Sequence, residues 1–341
     1  MKTGVLIINL GTPDAPTTSK VRKYLDEFLN DPRVIDIHPL GRWLLLNLII
    51  LPFRPKKSAE AYRKIWTSEG SPLLTHTKNF TNKLRKALPA NFVVDFAMRY
   101  GNPSIPDKLN ALLAQNVDEI ILFPQYPHYS AASTGSSLEK VFDHLGKKWN
   151  IPPIRTVGPF FNHPLFIDSI IANGKSLLQS FAPGHILFSY HGLPERHIHR
   201  SETIPENCFQ KDDACCAVIS EKNQYCYRAQ AFETTRLLAA KLNLQPSQYS
   251  TCFQSRLGRT PWIKPYTDLL IEDLGQKGKK KILVFSPSFT ADCLETLEEM
   301  SLRGKELFQK NGGDDLLLVP SLNDSENWIS AAREMILAKP A

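Results

Sequence analysis

The sequence predicts an α/β protein in two halves, each a parallel sheet flanked by helices, facing each other over a cleft. Three observations carry that prediction. Short apolar runs of the buried-strand type, such as Val5–Leu10 (VLIINL), alternate with stretches of helical periodicity. The alternation runs twice, with a break at Trp149–Pro159 (WNIPPIRTVGP). The chain has 341 residues, 42% of them hydrophobic, which favours two cores over one.

In chain order, strands are expected at Val5–Leu10, Phe92–Met98, Glu119–Phe123, Ile186–Tyr190, Tyr249–Phe253, Ile282–Ser286 and Leu316–Val319. Helices are expected at Ser19–Asn30, Asn79–Leu88, Ser104–Gln115, Ser136–Leu145, Pro164–Ser180, Tyr227–Leu242, Asp268–Leu274 and Asp292–Phe308. The domains read as 1–152 plus 321–341, a C-terminal helix packing back, and 153–320. In open parallel sheets ligands bind at the carboxyl ends of the strands. Unusual residues gather there: Leu10 at the end of the first run, Arg99 and Tyr100 after the second, Tyr126 after the third, His191 after the fourth, Ser255 after the fifth.

Composition excludes several classes. The net charge of +7 is mild, and the basic residues are scattered apart from Lys279–Lys281, so no nucleic-acid partner is expected. The first strand leads to Gly11-Thr12-Pro13 without the further glycines of a dinucleotide fingerprint, and no GxxxxGK[ST] loop occurs. No signal peptide is visible and no window offers 18 uninterrupted apolar residues. The six cysteines are therefore expected as thiols rather than disulfides.

Four features could carry chemistry. In Phe285–Met300 (FSPSFTADCLETLEEM), Asp292, Glu295 and Glu299 fall at spacings of three and four, one face of a helix. Such a row is either a solvated face or a path for cations and protons. His191, in Ser189–Pro194 (SYHGLP), directly follows a buried run, a position suited to acid–base or metal work. Tyr100, Tyr126, Tyr129, Trp262 and Phe289 sit beside Gly, Pro or Ser in expected loops, where they either cap the core or stack on a flat ligand. Cys208, Cys215, Cys216 and Cys226 form C-x6-C-C-x9-C, a candidate metal or iron–sulfur site with free thiols as the alternative. The apolar Trp43–Phe53 (WLLLNLIILPF), between Arg42 and Arg54, reads as a core helix or as an exposed lip for a membrane or a greasy ligand.

Taken in order, INLGTP, AEAYRKIW followed by GSP, MRY, QYPHYSAASTGSS, SYHGLPERH, CFQSRLGRTPW, SPSFTADCLETLEE and SLND make the chain resemble the ferrochelatases, bacterial type, over nearly its whole length. The resemblance implies two Rossmann-like, chelatase-type domains. It implies a lyase that inserts Fe²⁺, the substrate metal, into protoporphyrin IX to form protohaem. His191 looks like the family histidine that accepts pyrrole protons or holds the metal, with Glu295 opposite it. Asp292 and Glu299 look like the acidic relay. Leu10, Tyr62, Arg99, Tyr100, Tyr126, Ser130, Ser255, Trp262 and Phe289 look like porphyrin-pocket and support residues, Arg99 facing a propionate. Position 293 is cysteine where animal members have histidine, and no cysteine follows it, so the animal C-terminal cluster arrangement is not expected. Some bacterial members hold a [2Fe–2S] cluster with four internal cysteines, which would here be Cys208, Cys215, Cys216 and Cys226. The expected location is the cytoplasm, peripheral on the inner membrane through Trp43–Phe53. The alternatives are a chelatase for cobalt, nickel or coproporphyrin, and a porphyrin or haem carrier without turnover.

Overall fold

The computed structural model describes residues 1–201, 208, 211–258 and 260–338. The chain divides into two compact units, Met1–Tyr126 with Ala131–Gly158 and Asn323–Ala341, and Pro127–Ser130 with Pro159–Leu322.

The first unit contains β1 (Thr3–Thr12), β2 (Phe92–Gly101), β3 (Glu119–Pro124) and β4 (Ile154–Thr156) in the order β2-β1-β3-β4, all parallel. Val5, Leu6, Ile7 and Ile8 of β1 are wholly inaccessible. A strand covered on both faces cannot afford polar positions, which is why this run is continuous rather than alternating. Its helices in the first part of the chain are α1 (Thr18–Leu29), α2 (Pro39–Leu44), α3 (Leu51–Ile65), α4 (Pro72–Ala87), α5 (Ile105–Leu113) and α6 (Ser136–Leu145). Leu109 and Leu112 of α5 and Val141 and Leu145 of α6 pack with Leu6, Ile8, Ile120 and Leu122 into one core. The Ser104 side chain caps α5 by accepting from the Asp107 N–H at 3.2 Å.

A π-helical stretch, Leu45–Ile50, joins α2 to α3. Leu46, Leu51, Ala59 and Tyr62 of this run are buried, while Trp43, Leu48, Ile49 and Phe53 are exposed, Phe53 by 74%. The segment is thus helical and yet presents an apolar outer row.

In the second unit the helices are α7 (Pro164–Phe181), α8 (Glu195–His199), α9 (Tyr227–Lys241), α10 (Thr267–Gln276) and α11 (Lys305–Lys310). Its strands β5 (His185–His191), β6 (Tyr249–Gln254), β7 (Lys281–Phe285) and β8 (Asp315–Leu318) run parallel in the order β6-β5-β7-β8. Leu187, Ile271, Ile282, Val284, Met300 and Phe308 form its core. Gly174 of α7 has no room for a side chain, because a Cβ there would meet the Phe285 ring at 2.5 Å. The chain then returns to the first unit as α12 (Glu326–Leu337), whose inaccessible Trp328 stacks on Phe80 at 5.8 Å and leans on Phe123 at 6.1 Å.

Three expectations need correction. The stretch read as a break contains β4, a three-residue edge strand whose residues are all half-buried, so it carries no apolar run to betray it. Arg99 and Tyr100 do not follow β2 but lie inside it, and Tyr100 is wholly buried rather than in a loop. Asp292 precedes the helix that follows it, and that helix begins as a π-helix, Glu295–Gly304, running into α11. Asp292 is therefore no member of a helical row, whereas Glu295 and Glu299, four apart in the π-helix, stay close enough for the Glu295 charge to act on Glu299.

Candidate active site

In the second unit, β5 ends at His191, paired in register with Gln254 of β6. The imidazole is half-buried, with its edge toward the Phe289 ring 6.2 Å away. His191 Nδ1 lies 2.6 Å from the Gly192 carbonyl oxygen. A carbonyl only accepts, so Nδ1 carries the proton and Nε2 of the neutral ring keeps its lone pair. Gly192 is required where it stands. Its N–H donates to the Gln254 carbonyl at 2.8 Å, and a Cβ would lie 2.7 Å from that oxygen and 3.3 Å from the Trp262 ring.

Gln254 ties the strand ends to the acidic helix. Its Nε2 donates to the Glu295 carbonyl at 2.8 Å, and its Oε1 accepts from the Ser189 hydroxyl at 2.8 Å. Ser255, with φ +67°, holds a left-handed backbone that L residues rarely adopt. That turn aims both its N–H, at 2.9 Å, and its hydroxyl, at 2.5 Å, at the Glu299 carboxylate. Burial pushes the Glu299 carboxyl up. The Ser255 bond opposes that, the neighbouring Glu295 adds to it, and the balance is upward. Asp292 is buried, and its Oδ1 accepts from the Thr296 hydroxyl at 3.0 Å and the Ser321 N–H at 3.3 Å. Cys293 is buried, and burial followed by the Glu295 charge pushes its thiol well up, so it stays protonated. Trp262 donates its indole N–H to the Leu257 carbonyl at 2.8 Å. The geometry therefore assembles, in one unit, an imidazole whose Nδ1 is bonded to the Gly192 carbonyl, two half-buried carboxyl groups and a buried one. Such a set can take up protons and offer oxygen and nitrogen ligands to a divalent ion.

The first unit holds the other predicted residues. The Arg99 guanidinium donates through Nη2 to Asp31 at 2.6 Å and through Nε to the Ser136 hydroxyl at 2.6 Å. Tyr100 donates its hydroxyl to Asp31 at 2.8 Å. Burial alone would push the Asp31 carboxyl up, but bonds from Ser136, the Arg33 N–H and Tyr100, with the Arg99 charge, hold it below the usual range. Asp31 is the residue that sequence reasoning missed here. Nothing local marks it, because its partners lie 68 and 105 positions away. Tyr126 is half-buried with its hydroxyl 3.3 Å from Ser137, and burial pushes its phenol up to about 12. Tyr62 is buried edge-on between Tyr24 and Trp66, and Leu10 is half-buried near the end of β1. Ser130, in the second unit, is buried.

The cysteines Cys208, Cys215, Cys216 and Cys226 are all free thiols. Cys215 and Cys216 place their sulfurs 3.8 Å apart, and Arg228 donates to the Cys216 sulfur at 3.4 Å. Burial first, and then the neighbouring sulfurs, push Cys208 up to about 12. Among the described residues no group of three or more His, Cys, Asp or Glu is already arranged as a metal site. Among them, too, no helix is long and apolar enough to cross a membrane.

Comparison with known proteins adds the following. The family model described as Ferrochelatase matches residues 2–339. A ferrochelatase of Coxiella burnetii (strain Dugway 5J108-111) is 47% identical over 334 residues, covering 98% of this chain and 93% of that one. A ferrochelatase of Legionella pneumophila (strain Lens) is 46% identical over 336 residues, covering 98% and 99%. Among solved structures, SirB from Bacillus subtilis with Fe³⁺ matches with TM-score 0.55 at 10% identity, covering 99% of this chain and 96% of that one. DR2241 from Deinococcus radiodurans, described as similar to chelatases, matches with TM-score 0.50 at 9% identity, covering 98% and 55%. These structural likenesses bear on the fold alone.

Proposed function

The chain belongs to the ferrochelatase family, and we propose that His191 and Glu295 carry the reaction of that family here. The enzyme is a lyase that inserts Fe²⁺ into protoporphyrin IX to form protohaem. This places it apart from the cobalt or nickel chelatase and the carrier that the residues alone left open.

The observation that carries the assignment is the Nδ1 bond of His191 to the Gly192 carbonyl. It commits Nδ1 as the donor, so that in the neutral ring Nε2 is the base or ligand that metallation needs, since two pyrrole N–H protons must leave as iron enters. Glu295 supplies an oxygen ligand for Fe²⁺, while Asp292 and Glu299 extend it as a relay. A carboxyl whose proton affinity is raised, as for Glu299, is suited to picking protons up and passing them on. The likeness to the family supports assigning Leu10, Tyr62, Tyr100 and Tyr126 of the first unit and Ser130, Ser255, Trp262 and Phe289 of the second to porphyrin binding and its support. Arg99 serves a propionate. Because its Nε and Nη2 already donate to Ser136 and Asp31, it acts as a fixed charge rather than as a free fork.

The four cysteines are our candidates for a [2Fe–2S] cluster. Support comes from their free thiols, the close sulfur pair, the Arg228 donor and the backbone N–H groups of Arg228 and Ala229 that reach the Cys226 sulfur. Thiolates are the usual ligands of such clusters, and a cluster would supply a redox-active centre outside the metallation step. Anaerobic protein without sulfur-to-iron absorption bands, after full iron supply, would exclude it. The exposed row Trp43, Leu48, Ile49 and Phe53 is our candidate for peripheral contact with the inner membrane, with the enzyme body in the cytoplasm.

Anaerobic turnover with protoporphyrin and Fe²⁺ tests the site. Many haems per protein are expected from the wild type and almost none from His191→Ala with porphyrin binding intact. Wild-type turnover in His191→Ala would refute the assignment.

A further inference from the structure

We propose that Tyr227 and Ser288 form a hydrogen-bonded clamp that positions His191 for metallation, an inference that rests on the reading of His191 given above. In a parallel strand the N–H and C=O of one residue point to the same side, and those of the next residue to the other side. Gly192 directs its N–H to Gln254 of β6. The N–H and C=O of His191 therefore point to the β7 side. The β5–β7 ladder, however, ends at the pair Phe188–Phe285. His191 thus protrudes three residues past its neighbour, and both of its backbone groups would be orphans, which partly buried backbone does not tolerate.

Two hydroxyl side chains stand in for the missing strand. The His191 N–H donates to Ser288 Oγ at 3.0 Å. The Tyr227 hydroxyl donates to the His191 carbonyl at 2.8 Å. Ser288 also faces the Tyr227 phenol, acting as a hydrogen-bond partner that opposes the rise burial gives its proton affinity. Since the phenol proton is committed to His191, Ser288 must donate to the phenol oxygen. Three donors and three acceptors close a ring around one peptide residue, each bond polarising the next.

The clamp is held from behind. Tyr227 is buried as the first residue of α9. His128, 1% exposed, packs edge-on against Tyr227 at 5.8 Å and against Tyr190 at 5.2 Å. Its Nε2 lies 2.9 Å from Thr234 Oγ1. Burial pushes the His128 imidazole down to about 3, so this wedge stays neutral while the enzyme works. Neither Tyr227 nor Ser288 needs to touch substrate. Their action is to fix the backbone from which the catalytic ring projects, and a misplacement of about 1 Å is enough to slow a positioned reaction severely.

The test uses the full chain with Tyr227→Phe, Ser288→Ala, Ser288→Thr and the double variant Tyr227→Phe/Ser288→Ala. Tyr227→Phe keeps the ring and so keeps the packing. Each of the first two is expected to lower kcat on the order of tenfold with the porphyrin KM unchanged. The double variant should lose no more than the worse single, because either change opens the ring. Ser288→Thr, which keeps a hydroxyl, should retain the wild-type rate. Full kcat in both single variants, multiplying losses in the double, or a parallel rise in porphyrin KM would overturn the clamp. If His191→Ala is inactive while the clamp variants are fully active, the clamp alone fails. If His191→Ala turns over normally, the reading of His191 fails and the clamp with it.

Discussion

Ser255 holds both oxygens of Glu299, Oε1 through its N–H at 2.9 Å and Oε2 through its hydroxyl at 2.5 Å. The grip explains the left-handed φ of +67° at Ser255, since the turn points two donors in one direction. It also shows how a carboxyl can be kept inside the protein and still be ready to ionise.

The sign of the Glu299 shift gives a stability prediction. Burial, opposed by Ser255 and aided by Glu295, raises its folded proton affinity above the unfolded one. The folded state then binds more protons than the unfolded chain through that window, so stability falls as pH rises across it. Glu299→Gln removes the charge, and its amide can still accept from the Ser255 N–H and donate to the hydroxyl. The variant should melt higher than wild type at neutral pH, with the gap closing once pH falls below the ordinary carboxyl range, while turnover drops. Thermal unfolding at pH 7.5 and pH 4 checks it, and a gap that does not change with pH would contradict it.

Asp31 should behave oppositely. Its folded proton affinity is lowered from the ordinary 3.8, so its contribution is present above that value and is lost as pH falls through the folded pKa. Asp31→Ala leaves the half-buried Arg99 without its carboxylate and should cost on the order of 3 kcal/mol at neutral pH, shrinking in acid. Urea unfolding as a function of pH reads the difference.

Gly192→Ala places a methyl 2.7 Å from the Gln254 carbonyl. Backbone must move, at about 1–3 kcal/mol, and the movement occurs next to His191. The variant should lose turnover beyond its loss of stability, measured as kcat at a temperature where both proteins are folded.

The helical run through Leu45–Ile50 offers a paired test. Leu48→Asp and Ile49→Asp lie on its exposed side and should change stability by no more than about 0.5 kcal/mol while abolishing binding to liposomes. Leu46→Asp, wholly buried, should instead destabilise by about 3 kcal/mol or more. Unchanged liposome sedimentation in the first two would remove the membrane assignment.

Trp328 anchors α12 on Phe80 and Phe123. Trp328→Ala should cost about 3–5 kcal/mol, seen as a lower denaturant midpoint.

By itself the sequence determined the α/β class, the doubled strand–helix alternation and the candidate chemistry at His191 and the acidic stretch. Those are properties of local periodicity and residue type, which a continuous run such as Val5–Ile8 or a histidine after a buried strand displays directly. Only the tertiary structure decided that Asp292 stands outside the helix, that Glu295–Gly304 winds as a π-helix and that Arg99 and Tyr100 lie within β2 around Asp31. The bonds that hold the site join residues far apart in the chain: Tyr227 to His191 across 36 positions, Ser255 to Glu299 across 44, and Ser288 to His191 across 97. No local pattern records such pairs, because each partner is an ordinary polar residue until the fold of the second unit brings the two within 3 Å.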